Sequence, residues 1–132
     1  MGKKILIVDD EPNIVAAIEF LLQRGGHEVL VARDGEKALE IIGGRVPDLV
    51  ILDIMMPELS GFEVLEALRR DETTAALPVV VLTARGDEAD ARRGMALGAK
   101  RFMNKPFDVR ARKRAPMADG RWIVIPALLV EA

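Results

Sequence analysis

The chain has 132 residues, 50% of them hydrophobic, with 19 basic against 21 acidic side chains and a formal net charge of -2. That length suits one compact domain, and the near balance of charge argues against a general nucleic-acid or membrane-surface binder, since both need a basic field. The lack of cysteine removes disulfides, thiolate metal sites and thiol nucleophiles.

The opening MGKKILIVDDEP has only a short apolar run before two aspartates, too short for a signal peptide or a membrane span. A cytoplasmic protein is therefore expected. From there short apolar runs alternate with amphipathic stretches, the rhythm of a βα repeat around a buried parallel sheet. Strands are predicted over Lys4 to Asp9, Glu28 to Ala32, Leu49 to Asp53, Val79 to Thr83 and Lys100 to Asn104. The first helix starts at Pro12 and ends before Gly25-Gly26, and the second is capped by Asp34 and runs to Gly43-Gly44. The third opens at Ser60, with Glu63 at capping-box spacing, and the fourth covers Asp87 to Leu97 before Gly98.

The polar residues fall at one end of this pattern. Asp9 and Asp10 follow the first strand, Asp53 ends the third, Thr83 ends the fourth and Lys105 follows the fifth. Ligands of an open parallel sheet bind at the carboxyl ends of its strands, so these residues should converge on one pocket. A strand-terminal Asp or Thr taken alone is a turn or cap residue, but several at one sheet edge favour a site. Three neighbouring carboxylates repel unless a hard divalent cation neutralises them, and oxygen-only donors suit Mg²⁺. Asp53 is then a candidate nucleophile that forms an acyl phosphate. Lys105 offers a fixed positive charge to the phosphoryl oxygens, and the Thr83 hydroxyl offers a donor able to follow a new anion.

VDDEP at 8–12, LDIMMPELSGFEVL at 52–65, LTARGDE at 82–88 and KPF at 105–107 together resemble the receiver domain of two-component response regulators, in order from Lys3 to Asp108. The likeness is to receivers of the DNA-binding winged-helix class. It implies a flavodoxin-like α/β fold, a doubly wound five-stranded parallel sheet of order 2-1-3-4-5, and phosphorylation of Asp53 by a sensor histidine kinase. It further implies Mg²⁺ held by Asp10, Asp53 and the Met55 backbone carbonyl, with Asp9 acting through water. Phe102 matches the switch aromatic that moves with Thr83, and Lys105-Pro106 matches a bond that is often cis in the family. Such a domain is a signalling switch that catalyses its own phosphorylation and dephosphorylation rather than an enzyme with a separate substrate.

Other residues read as ordinary. His27 is expected to face solvent at a strand start, the methionines at 55, 56, 95 and 103 to fill core and loops, and Glu63, Glu66, Arg69 and Arg70 to form a solvated helical face. The receiver is assigned to residues 1–108, and residues 109–132 form an atypical C-terminal segment. There Pro116 and Gly120 stop a short helix in place of the family's long fifth helix. An extended apolar tail from Trp122 to Val130 should then cover the vacated surface, a pattern read as a changed reading frame or a truncation. Lys100-Arg101 stand where many DNA-binding relatives carry acidic residues that pair across a dimer face, so either a homodimer or tail-mediated self-association is open. The cluster Arg110, Arg112, Lys113 and Arg114 reads as solvated surface. The partners expected are the kinase and a downstream protein, without membrane or direct nucleic-acid contact. Two alternatives stand beside this reading. One is a Mg²⁺-dependent aspartyl-phosphate phosphatase, which needs a second acid where the chain has Met55. The other is a degenerate receiver serving only as a protein-binding module.

Overall fold

A computed structural model describes residues 2–56, 58–84, 88–105, 114–116 and 122–124, with side chains for all of these except 83–84, 101, 103–105, 114–116 and 122–124. The elements in chain order are β1 (Lys4–Val8), α1 (Pro12–Arg24), β2 (Glu28–Ala32), α2 (Gly35–Gly44), β3 (Leu49–Asp53), α3 (Gly61–Arg70), β4 (Val79–Ala84), α4 (Glu88–Ala96) and β5 (Arg101–Lys105). β1 to β5 form one parallel sheet of order β2-β1-β3-β4-β5, the flavodoxin-like arrangement expected. Two short strands, β6 (Arg114–Pro116) and β7 (Trp122–Val124), pair antiparallel. Most of the expected helix after Asp108, most of the apolar tail and Pro106 lie outside the described residues, and Arg114–Pro116, where that helix should end, form strand β6 instead.

Strand side chains alternate between faces, and that alternation builds two cores. Leu6 and Val8 of β1, Val50 and Leu52 of β3 and Val79 and Val81 of β4 pack with Ala38 and Ile42 of α2 and Phe62, Val64, Leu65 and Leu68 of α3. Their neighbours Ile5, Ile7, Leu49, Ile51, Val80 and Leu82 pack on the opposite face against Val15, Ile18, Leu21 and Leu22 of α1. Because both faces are covered, the strands read as continuous apolar runs rather than alternating ones.

Local chemistry sets the helix starts. Pro12 opens α1, where its missing N–H costs nothing. The Asp34 side chain caps α2 by accepting from the Lys37 amide at 2.7 Å. At α3 the Ser60 hydroxyl accepts from the Glu63 amide at 3.3 Å while the Glu63 carboxylate accepts from the Ser60 amide at 3.1 Å, a complete capping box.

Some surface residues depart from expectation. Arg69 is no idle member of a solvated face: its guanidinium donates to the carbonyls of Thr74 at 3.1 Å and Gly98 at 2.9 Å, tying the end of α3 to the turn after α4. Partial burial holds its pKa below the usual guanidinium value. Gly98 sits at φ +96, left-handed backbone that favours glycine, and a β-carbon there would come within 2.8 Å of Arg69 Nε and push that side chain aside. Met56 is buried as expected, but Met55 and Met95 are exposed rather than core. His27 stands directly before β2, half-buried, and accepts from the Lys3 amide at 3.1 Å, so it also braces the start of β1.

Candidate functional site

Parallel strands deliver their C-terminal residues to one edge, and the register shows how closely. Val8 pairs with Leu52, placing Asp9 and Asp53 next in line on adjacent strands. Asp53 pairs with Leu82, so Thr83 is the next residue along β4. Thr83 pairs with Asn104 and Ala84 with Lys105, the last residue of β5. All five residues singled out from the sequence thus reach the same sheet edge. The backbones of Thr83 and Lys105 are placed there, and their side chains lie outside the description.

The three aspartates come together at this edge. Oxygens of Asp9, Asp10 and Asp53 all lie within 4.8 Å of one another. Asp9 and Asp53 are buried, at 0% and 2% exposure, and Asp10 is exposed. Both buried carboxylates use the same local device: Asp9 Oδ1 accepts from the Glu11 amide at 2.8 Å, and Asp53 Oδ1 accepts from the Met55 amide at 3.0 Å. An Asp that accepts from the amide two residues on turns the chain and fixes its own carboxylate. The result is a rigid set of carboxylate oxygens with one member open to water. Hard oxygen donors carrying excess negative charge suit a divalent cation such as Mg²⁺.

The loop from β3 into α3 is held against the site. The Gly61 amide donates to the Ile54 carbonyl at 3.3 Å, and the Ile54 amide donates to the Leu82 carbonyl at 3.3 Å. A β-carbon on Gly61 would meet the Asp53 carbonyl oxygen and the Ile54 α-carbon, each at 2.5 Å. Glu58, at φ 64, makes the reversal in left-handed backbone, a conformation costing about 1 kcal/mol for a residue with a side chain. Sequence reading missed the role of Gly61, although its place between a strand-ending aspartate and a capped helix was a usable signal. Phe102, singled out as a switch aromatic, lies on β5 at 46% exposure. Met55 is exposed beside Asp53 and carries no acid.

A family model described as the response regulator receiver domain matches residues 5–114. The chain is 44% identical over 118 residues to the alkaline phosphatase synthesis transcriptional regulatory protein PhoP of Bacillus subtilis, covering 87% of this chain and 48% of that protein. It is 43% identical over 122 residues to the transcriptional regulatory protein CpxR of Escherichia coli, covering 90% and 51%. It therefore spans about half the length of these curated relatives. Among solved structures, the chemotaxis response regulator CheY4 of Vibrio cholerae superposes with a TM-score of 0.77 at 33% identity, covering 83% of this chain and 92% of that one. The N-terminal domain of a response regulator receiver protein from Methanoculleus marisnigri gives a TM-score of 0.72 at 38% identity, covering 79% and 85%. No helix among the described residues is long and apolar enough to cross a membrane.

Proposed function

The chain belongs to the response regulator receiver domain family, and on that premise we propose that it is a phosphorylation switch in which Asp53 accepts a phosphoryl group from a sensor histidine kinase. The observation that carries this reading is the gathering of Asp9, Asp10 and Asp53 oxygens within 4.8 Å at the carboxyl edge of the sheet. In the reaction an oxygen of the Asp53 carboxylate attacks the phosphorus of a phosphohistidine. The P–N bond breaks, the imidazole nitrogen leaves with the electron pair, and an acyl phosphate forms. Such a transfer depends on positioning and charge neutralisation more than on acid-base chemistry. The turn that fixes the Asp53 carboxylate supplies the positioning.

Asp10, Asp53 and the Met55 carbonyl are the proposed Mg²⁺ ligands, with Asp9 acting through water. When bound, Mg²⁺ neutralises charge on the carboxylates and phosphoryl oxygens. Lys105 is assigned the fixed positive charge and Thr83 the hydroxyl that follows the new anion, with Phe102 as the aromatic that moves with it. The protein acts as a switch rather than on a separate substrate, in the cytoplasm, and hands its state to a downstream protein. The relatives are named as transcriptional regulators, which conflicts with the expectation of no direct nucleic-acid contact. An aspartyl-phosphate phosphatase is disfavoured because the residue two beyond Asp53 is a methionine and leaves no second acid. The test is incubation with acetyl phosphate and Mg²⁺ followed by mapping of the modified residue. Base-labile phosphate on Asp53 is expected, and phosphate at another residue overturns the assignment.

A further inference from the structure

α4 is weakly anchored by apolar burial. Its buried residues are Ala91 and Gly94, whereas α1 buries Val15, Ile18, Leu21 and Leu22. Gly94 lets the helix ride close to β4, where an added β-carbon would lie 3.2 Å from Val81, but two such small residues bury little area. Elements with few buried apolar contacts open at low free energy. What else holds α4 therefore decides where it sits.

Two arginines tie it to α3. Just past its C-terminus the Gly98 carbonyl accepts from Arg69 of α3. In the last turn of α4 the Arg93 guanidinium stacks on the Phe62 ring of α3, 4.1 Å from its centroid. This is well inside the range in which a cation over an aromatic face is attracted to it. Phe62 is 6% exposed and packs in the core shared by α2 and α3, so the ring is a fixed platform and the arginine is the movable part. Phe62 also directly follows Gly61, whose backbone is pressed against the Asp53 carbonyl and bonded to Ile54.

We propose that Arg93 is a positioning residue, latching α4 onto Phe62 so that a change at Asp53 reaches α4 through Gly61 and Phe62. The coupling half of this inference rests on the phosphorylation reading above. The latch itself does not. The path runs along α3 and is separate from any movement of Thr83 and Phe102 on β4 and β5.

The experiment is hydrogen exchange by mass spectrometry over residues 88–99 of the full chain, in the parent and in Arg93→Gln, Phe62→Leu and the double variant. Each single change should speed α4 exchange by about 3- to 10-fold, while Arg93→Lys, which keeps the cation, stays within about twofold of the parent. The double variant should be no faster than the faster single, the sign of one shared contact. Single effects that multiply in the double variant overturn the latch, and so does parental exchange in Arg93→Gln. In the second arm the parent and Arg93→Gln are phosphorylated with acetyl phosphate to equal occupancy of Asp53, measured on the same samples. The parent should change its α4 exchange on phosphorylation, and Arg93→Gln should lose most of that change. A full response in Arg93→Gln overturns the coupling. No phosphate on Asp53 in the parent overturns the functional reading and the coupling built on it, while exchange in the unmodified protein still decides the latch.

Discussion

Replacing Gly61 by alanine puts one methyl group where the backbone leaves no room. The new β-carbon would lie 2.5 Å from the Asp53 carbonyl oxygen, 2.5 Å from the Ile54 α-carbon and 3.0 Å from the Asp53 carbonyl carbon. All three are main-chain atoms, so no side-chain rotation relieves the clash, and the first turn of α3 must retreat by roughly 1 Å to reach ordinary contact at about 3.5–4.0 Å. Overpacking of this kind costs about 1–3 kcal/mol, and the gain in helix propensity over glycine, at most about 1 kcal/mol, offsets only part of it. At roughly 4 °C per kcal/mol for a domain of this size, the melting temperature should fall by about 4–8 °C. The retreat also loosens the Ile54 carbonyl contact beside Asp53, so phosphorylation by acetyl phosphate should slow more than stability alone explains. Thermal unfolding and the phosphorylation rate below the transition check the two effects separately. Gly43→Ala is the control: its β-carbon meets nothing within 4 Å, and the change should stabilise α2 by about 0.4–1 kcal/mol. If Gly61→Ala melts with the parent and takes phosphate at the parental rate, the close approach is not what holds the loop.

Asp53→Asn keeps the side-chain volume and should leave the fold intact while abolishing base-labile phosphate, so a phosphorylated mutant sinks the nucleophile assignment. Two carboxylate charges 4.8 Å apart repel by about 1 kcal/mol in water and by roughly 3 kcal/mol at an effective dielectric constant near 20. Millimolar Mg²⁺ should therefore raise the melting temperature by mass action; Asp10→Ala should lose most of that rise, and an equal rise in both proteins would place the cation elsewhere. Asp71 accepts from both the backbone amide and the hydroxyl of Thr73, which hold its pKa below the ordinary value of 3.8. Its folded value is the lower one, so its stabilisation is present above 3.8 and fades as pH falls through the folded value. Asp71→Asn should flatten the acid limb of a pH–melting curve below that point, and an unchanged limb contradicts the assignment.

The strands and the placement of the site were legible because each rests on a repeated signal, whereas the order of the sheet followed from the resemblance to receiver domains. Continuous apolar runs such as LVILD identify strands buried on both faces, and the polar residues at or beside the carboxyl ends of β1, β3, β4 and β5 mark the functional edge. Boundaries moved by single residues where the signal was one residue wide: Asp9 leaves β1 because its carboxylate turns the chain toward Glu11, and β5 begins at Arg101 rather than Lys100. Contacts between elements distant in sequence were not legible. Nothing in the periodicity of α3 tells that Arg69 will bond a carbonyl 29 residues away, or that Arg93 will cover Phe62. In sequence an arginine on a polar helical face looks the same whether it meets water or another turn. The methionines failed for a related reason: an unbranched apolar side chain beside a loop fits either core or surface, and Met55 lies outside because the Asp53 turn directs its neighbours.

The buried acids show how the fold and the site share the same bonds. A carboxylate with almost no exposure is costly unless hydrogen bonds replace its lost water. At Asp9 and at Asp53 a backbone amide two residues on provides such a bond, and it also turns the chain out of the sheet toward α1 and α3. The turn that makes burial tolerable thus aims the carboxylate and starts the segment leading to the next helix. What these bonds do not remove is the repulsion among the three acids, because amide dipoles carry no net charge. That remaining repulsion is what a bound divalent cation would relieve, and on the proposed function the same cation would offset the charge of an incoming phosphoryl group. The two cores on either side of β1 and β3, with Ile5, Leu6, Ile7 and Val8 at 0% exposure, hold the aspartates in place against it.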